Sequence, residues 1–278
     1  MKSKTFNWTI LFSVLFVSVF FMACEKEVQA TDTDEVAQVQ KSTEIDVATD
    51  NISAIIEEAF ITEESITGRS SAAYETYLPP CMIRTVEVSG MTRTVTLDFG
   101  SGCDMPNGNH ISGIITMVYE RDPSALTRTI TYSFSDFYFN YINIDGGGSI
   151  LREWSNTNGN PQSTNNQNIT VTWPNDASAH RVGVKVREWI EGVGSGTWGD
   201  NVFLITGNWT TEFPDGDVNS GIVTIPLRRE LACRFLVSGE VALSHNELAG
   251  TLNFGDGDCD NIAIFTDAQG NEHTIILD

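Results

Sequence analysis

The segment TRTITYSFSDFYFNY, residues 127–141, decides the fold class of this chain. Apolar and polar side chains alternate along it, which is the period-two pattern of a β-strand with one buried face. The apolar positions change parity midway, being first Ile130, Tyr132 and Phe134 and then Phe137, Phe139 and Tyr141. One extra residue at the change of parity predicts a β-bulge near Ser135-Asp136.

Similar alternation recurs after Pro80 and defines a folded domain over residues 81–278. Further predicted strands lie at residues 95–99, 115–119, 169–173, 182–186, 203–205, 223–227, 235–237 and 275–277. Clusters of Gly, Asn, Asp and Pro separate them. No amphipathic helix lies between the strands, so we predict an all-β fold of mostly antiparallel, up-and-down strands. The pattern leaves a curved open sheet, a sandwich and a barrel as alternatives.

Residues 1–23 have the composition of a secretory signal peptide. Lys2 and Lys4 precede an apolar run from Trp8 to Met22. That run is shorter than the ~20 apolar residues that a membrane-spanning helix needs, and it suits the apolar region of a signal peptide. We therefore predict export, with an uncleaved anchor as the alternative.

The end of that run, Phe21-Met22-Ala23-Cys24, resembles the lipobox of bacterial lipoproteins. In that family a small residue precedes a cysteine whose thiol receives diacylglycerol before the signal is removed. Ala23 and Cys24 match the pattern, whereas Phe21 stands where leucine is usual. The resemblance implies that lipid on Cys24 anchors the protein to a membrane. Ordinary cleavage, with Cys24 incidental, is the alternative.

Residues 24–80 are rich in Asp, Glu, Ser and Thr and show no alternating apolar pattern. Such a segment predicts a disordered, acidic tether. One short helix is expected within it near residues 50–60, where Asp50 is a candidate cap and Ile52, Ile55, Ile56, Ala59 and Phe60 recur at helical spacing.

Four cysteines remain beside the one in the lipobox, and an exported chain favours disulfides. The midpoint of Cys81 and Cys103 is residue 92, beside a candidate Ser-Gly-Met turn. The midpoint of Cys233 and Cys259 is residue 246, inside a candidate Ser-His-Asn turn. Residues equidistant from a hairpin turn face each other, so we predict these two pairs.

The two hairpins echo each other, since LDFGSGCD at residues 97–104 parallels LNFGDGDCD at 252–260. The C-terminal pattern is Cys233-Arg234, Val237-Ser238-Gly239, Phe254-Gly255-Asp256-Gly257 and Cys259-Asp260-Asn261. In this pattern the chain resembles uncharacterised β-rich lipoproteins of the Bacteroidota. The resemblance implies an anchored envelope protein and brings no catalytic residues.

Composition and motifs point away from several functions. The formal net charge of −21 disfavours nucleic acid and anionic lipid headgroups as partners. The four histidines are scattered, and no catalytic or phosphate-binding motif is present, so we expect no catalytic residue and no cofactor. Asp256, Asp258 and Asp260 are weak candidates for a calcium site, because turn formation explains the same residues.

Two further signals concern sugars. Arg-Glu-Trp occurs twice, which places Glu153 and Glu188 in similar surroundings. Paired glutamates are typical of glycoside hydrolases, but cross-strand charge pairing explains them as well. Trp189 is out of phase with the apolar series Val182-Val184-Val186, and Trp198 lies in a Gly-rich loop. We therefore predict these two tryptophans to be exposed, as a possible ligand platform.

The sequence favours a lipid-anchored envelope protein with a non-enzymatic binding or structural role. The alternatives are a carbohydrate-active or sugar-binding surface protein and a calcium-stabilised adhesin. The expected membrane contact is the lipid on Cys24, and a protein or glycan partner stays unassigned. Acidic residues soon after Cys24 resemble the surface-export signal of Bacteroidota lipoproteins, so we expect an outer-membrane protein on the cell surface, with a periplasm-facing location as the alternative.

Overall fold

The computed structural model describes residues 26–67, 77–122, 124–245 and 248–277. Over these residues the chain forms one helix, a short 3-10 turn and fourteen strands in one open sheet, every pairing of which is antiparallel. The prediction of an antiparallel all-β fold is confirmed, and of the three alternatives the curved open sheet is the one observed.

The strands follow one another across the sheet in chain order, with one exception. The short β3 pairs only with β4, and β2 also pairs with β4 directly. The helix α1 covers Lys26–Thr67, and the 3-10 turn covers Trp198–Asp200. The strands are β1 Ile83–Ser89, β2 Thr92–Asp98, β3 Cys103–Asp104, β4 His110–Glu120, β5 Thr127–Phe139, β6 Ile142–Glu153, β7 Gln162–Thr172, β8 Ser178–Glu191, β9 Val202–Glu212, β10 Val218–Glu230, β11 Ser238–His245, β12 Leu248–Asp256, β13 Ile262–Thr266 and β14 Glu272–Ile276.

The predicted bulge in β5 is present. The pairing of β5 with β6 shifts register between Ser133 and Tyr138, and Asp136 adopts a positive φ of 47°. On the other side, β4 shifts register around Gly113, whose φ is 84°. A side chain at residue 113 would overlap the carbonyl oxygen of Asp136, so glycine is required where the two backbones meet.

The sheet curves around α1, which forms the centre of the molecule. Every residue from Ile45 to Phe60 is buried, so this part of the helix is covered on all sides. Side chains of α1 contact residues at both edges of the sheet: Glu63 lies 3.7 Å from Arg84 of β1, and Gln40 donates to the carbonyl oxygen of Ile276 in β14 at 2.6 Å. The core is therefore a helix enclosed by a sheet.

This helix differs from the expected tether with a short helix near residues 50–60. The observed helix has 42 residues, and its middle is the most buried part of the chain. The physical reason is that its acidic side chains are neutralised by cations on the inner face of the sheet, so they do not need water. Residues 1–25, including Cys24, and residues 68–76 lie outside the described residues.

Both disulfides join the cysteines that were predicted to pair. Cys81 is bonded to Cys103 across a Cα–Cα distance of 5.9 Å, and Cys233 is bonded to Cys259 across 5.3 Å. The first bond spans the β1–β2 hairpin and the second spans the β11–β12 hairpin. Cys81 lies before β1 and Cys103 lies in β3 after β2, whereas Cys233 lies before β11 and Cys259 lies after β12, so each bond closes the open end of its hairpin.

Candidate functional site

The inner face of the sheet carries a buried group of cationic side chains directed at the helix. Its members are Arg152 of β6, Arg181, Lys185 and Arg187 of β8, and Arg229 of β10. They face three buried carboxylates of α1, those of Asp46, Asp50 and Glu57. We call these eight residues the interior ion network.

At one end of the network, Asp46 pairs with two cations. Its Oδ1 accepts from Nη1 of Arg181 at 2.7 Å and from Nζ of Lys185 at 2.9 Å. Ser42 adds a hydroxyl acceptor for Arg181 at 2.8 Å. Burial lowers the pKa of Arg181, and the charge of Asp46 opposes that shift. A guanidinium group nevertheless stays protonated in proteins, so this pair is ionic.

The rest of the network fixes the middle of the helix. Asp50 accepts from Nη1 of Arg187 at 2.7 Å and from Nε of Arg229 at 2.8 Å. Glu57 accepts from Nη1 of Arg152 at 2.8 Å and from the hydroxyl of Ser163 at 2.6 Å. These contacts lie inside the sheet and away from solvent. Their chemistry is therefore that of holding the helix in one register.

The predicted exposure of Trp189 and Trp198 is wrong. Trp189 is only 4% exposed and Trp198 only 2%, and their ring centroids lie 5.9 Å apart. The error lies in the assumed phase of β8: Val182 is 47% exposed and Val184 is 36% exposed, so the valines face outward. Trp189 therefore shares the inner face with the cations of β8.

A cavity of about 340 Å³ lies beside Trp198. Four separate segments line it: the chain before β1, the β3–β4 connection, the β8–β9 connection and the β10–β11 connection. The lining residues are Tyr77, Pro106, Asn107, Thr197, Trp198, Gly199, Leu231 and Ala232, none of which carries a charge at neutral pH. Burial raises the pKa of Tyr77 to about 12, so its phenol is neutral there.

The cavity has a rigid frame. The Trp198 ring packs edge-on against Trp189, which stacks on Phe203 at 5.7 Å. On the opposite wall, Asn107 donates to Oδ1 of the buried helix residue Asn51 at 2.9 Å. The backbone N–H of Tyr77 donates to Oε1 of Glu58 at 2.5 Å. The walls are thus held both by the helix and by the sheet, and their chemistry suits a small neutral ligand with an apolar face.

The two glutamates of the Arg-Glu-Trp repeats lie on the outer face, one on each side of Gln162. The register pairs Glu153 with Gln162 and Gln162 with Glu188. Gln162 donates to Glu153 at 2.9 Å, and the amides of Asn158 and Asn160 each donate to Glu188 at 2.9 Å. Hydrogen bonds from the asparagine loop, first from Asn156, lower the pKa of Glu188.

The weak calcium candidates lie in and directly after the end of β12. Asp256, Asp258 and Asp260 are exposed and line one open depression, and Oδ1 of Asp260 accepts from the backbone N–H of Ile262 at 3.0 Å. Within the described residues, no group of three or more His, Cys, Asp or Glu side chains is arranged to hold a metal ion. Their hydrogen bonding is that of turn formation.

Sequence reasoning missed both the interior ion network and the cavity. A signal for the network was present, because Arg181, Lys185 and Arg187 recur at spacings of two or four residues on one strand face. The cavity has no sequence signal, since its walls come from four distant segments.

In the part of the chain that the structure describes, α1 is too polar to cross a membrane, and no other helix is long enough. No family model, no curated protein and no solved structure matches this chain.

Proposed function

We propose that this protein is a lipid-anchored envelope protein whose β domain binds a small neutral ligand without transforming it. The observation that supports binding most is the uncharged cavity beside Trp198, with aromatic walls and few polar groups. A volume of about 340 Å³ lies within the usual range of small-molecule sites. A neutral sugar fits this description, because an apolar ring face can pack on aromatic walls while hydroxyl groups meet Asn107 and Thr197.

Binding is favoured over glycoside hydrolysis by the surroundings of the two glutamates. A hydrolase needs a general acid, whose pKa is raised by an apolar site. The pKa of Glu188 is instead lowered by amide donors, and the register places Glu153 and Glu188 on the open outer face.

The binding proposal is tested with a panel of neutral monosaccharides and disaccharides, added to the folded protein while tryptophan fluorescence and heat of binding are recorded. Ala232 lines the cavity, so the larger side chain of Ala232→Trp should occupy it and abolish the response. Ala249→Trp, at an exposed position of β12, is the matched control and should leave it intact. A response that survives Ala232→Trp, or no response to any sugar of the panel, would overturn a sugar site in this cavity.

The anchor is proposed from the lipobox resemblance of Phe21-Met22-Ala23-Cys24. Cys24→Ser should move the protein from the membrane fraction to the soluble fraction. Unchanged membrane association of that variant would refute the anchor.

Surface display is proposed from the acidic residues that follow Cys24. Protease added to intact cells should degrade the protein only if it faces outward. Protection until the outer membrane is permeabilised would instead support the periplasm-facing alternative.

A further inference from the structure

The helix α1 begins close in sequence to the proposed lipid site and runs into the interior of the domain. It begins at Lys26, two residues after Cys24, and continues unbroken to Thr67. The first buried residue described in it is Val39. Twelve residues of helix lie between Lys26 and Val39, and the rise over the thirteen steps is roughly 20 Å at 1.5 Å per residue.

The direction of α1 inside the sheet distinguishes two ends of the domain. Near its N-terminal half, Lys41 lies over the rings of Trp173 and Phe213 at 5.6 and 5.8 Å, and Glu44 accepts from Nε1 of Trp173 at 2.6 Å. Trp173 begins the β7–β8 turn and Phe213 begins the β9–β10 turn. We call the end that contains these two turns the anchor end.

The C-terminal half of α1 contacts the β4–β5 and β6–β7 connections, and the second of these lies at the end of β7 opposite Trp173. Phe60 packs against Tyr119 at 5.0 Å and against Trp154 at 6.3 Å, and Glu64 lies 3.7 Å from Arg121. Trp154 begins the β6–β7 connection, and Arg121 begins the β4–β5 connection. The strands alternate in direction, so the β8–β9 connection, with Trp198, belongs to this distal end as well.

We infer that lipid on Cys24 and the rigid helix together fix the orientation of the domain on a membrane. The anchor end faces the lipid surface, and the β4–β5 and β8–β9 connections lie away from it. This inference rests on the proposed anchor, and the surface that would face the bilayer is the anchor end. The anchor end carries Asp176, Asp215 and Asp217 in its turns, and such a surface is repelled by anionic headgroups and does not insert.

The test uses the acylated full-length protein in vesicles of phosphatidylcholine that contain a small share of an acceptor-labelled lipid. The native cysteines of the domain are in disulfides, so one added cysteine carries the donor dye. Asp176→Cys and Asp215→Cys label the anchor end. Leu126→Cys and Val193→Cys label exposed positions of the distal end. Energy transfer to the lipid should be several-fold stronger from the anchor end.

The control is a flexible Gly-Ser insertion after Ala30, within the helix but before its buried part. It should keep the protein on the vesicles and make energy transfer from the two ends equal. Without the insertion, energy transfer that is equal from the two ends, or stronger from the distal end, would overturn the inference. Stronger transfer from the anchor end in the protein with the insertion would also overturn it. Failure of the anchor itself is distinguished from both, because an unanchored protein would not sediment with the vesicles at all.

Discussion

The carboxylate of Asp50 on the central helix is shared with Arg229 of β10, whose Nε lies 2.8 Å from Oδ2. The other oxygen of Asp50 accepts from Arg187 of β8 at 2.7 Å. One helix side chain therefore links two strands that are separated in the sheet by β9. This arrangement makes the register of the helix depend on a few charges in the core.

Asp50→Asn should strongly lower the free energy of unfolding. The amide keeps the shape of the side chain, but it removes the carboxylate that pairs with Arg229 and leaves Arg187 with Glu57, whose Oε1 lies 3.6 Å from its Nε. Breaking a buried pair costs about 3–5 kcal/mol. Chemical denaturation of the variant and the parent measures the difference. Asp258→Asn, at an exposed carboxylate, is the control and should change stability by less than about 0.5 kcal/mol. A small effect of Asp50→Asn would show that the network does not hold the helix.

Removal of the helix should prevent the β domain from folding. A chain of residues 77–278 lacks the carboxylates that neutralise the interior cations, and it also lacks the apolar residues that fill the sheet. We expect no cooperative thermal transition and no near-ultraviolet circular dichroism. A chain of residues 36–278 keeps the buried part of the helix and should unfold cooperatively. Cooperative folding of the shorter chain would mean that the helix is dispensable, as a tether would be.

Gly113→Ala should destabilise the protein more than Gly216→Ala. Both glycines have positive φ, for which a side chain costs about 1–2 kcal/mol. At residue 113 the added methyl group also overlaps the backbone of Asp136, whereas no atom lies within 4 Å of the corresponding position at residue 216. Thermal melts of the two variants provide the comparison. Equal melting temperatures would contradict the close approach at the bulge.

Acid should loosen the last hairpin through Asp267. Its carboxylate accepts from the side chain and backbone of Asn271 at 2.8 Å each and from the backbone N–H of Gln269 at 2.9 Å. These donors, first the Asn271 side chain, lower the pKa of Asp267 to about 2. A lowered pKa means that the contribution to stability is present above about pH 4 and is lost as the pH falls toward 2.

Carboxyl-carbon NMR titration measures this pKa directly. Asn271→Ala removes the largest cause of the shift and should move the midpoint of Asp267 upward, toward its ordinary value. An unchanged midpoint in the variant would show that Asn271 does not hold the carboxylate.

Local sequence determined the features that depend on neighbours along the chain. Alternation predicted antiparallel strands, the change of parity near Ser135-Asp136 predicted the bulge, and turn symmetry predicted both disulfides. Each of these follows from strand geometry, in which side chains alternate and hairpin partners lie at equal distances from the turn.

Tertiary structure decided which face of a strand is inside. Along β8, alternation separates a face of valines from a face of Arg, Lys and Trp side chains, but it does not show which face is buried. Hydropathy alone assigns the valines to the interior. The fold reverses this assignment, because Asp46, Asp50 and Glu57 supply partners for Arg181, Lys185 and Arg187. A charge is buried when its counter-charge is buried beside it, and that partner lies more than a hundred residues away in the chain.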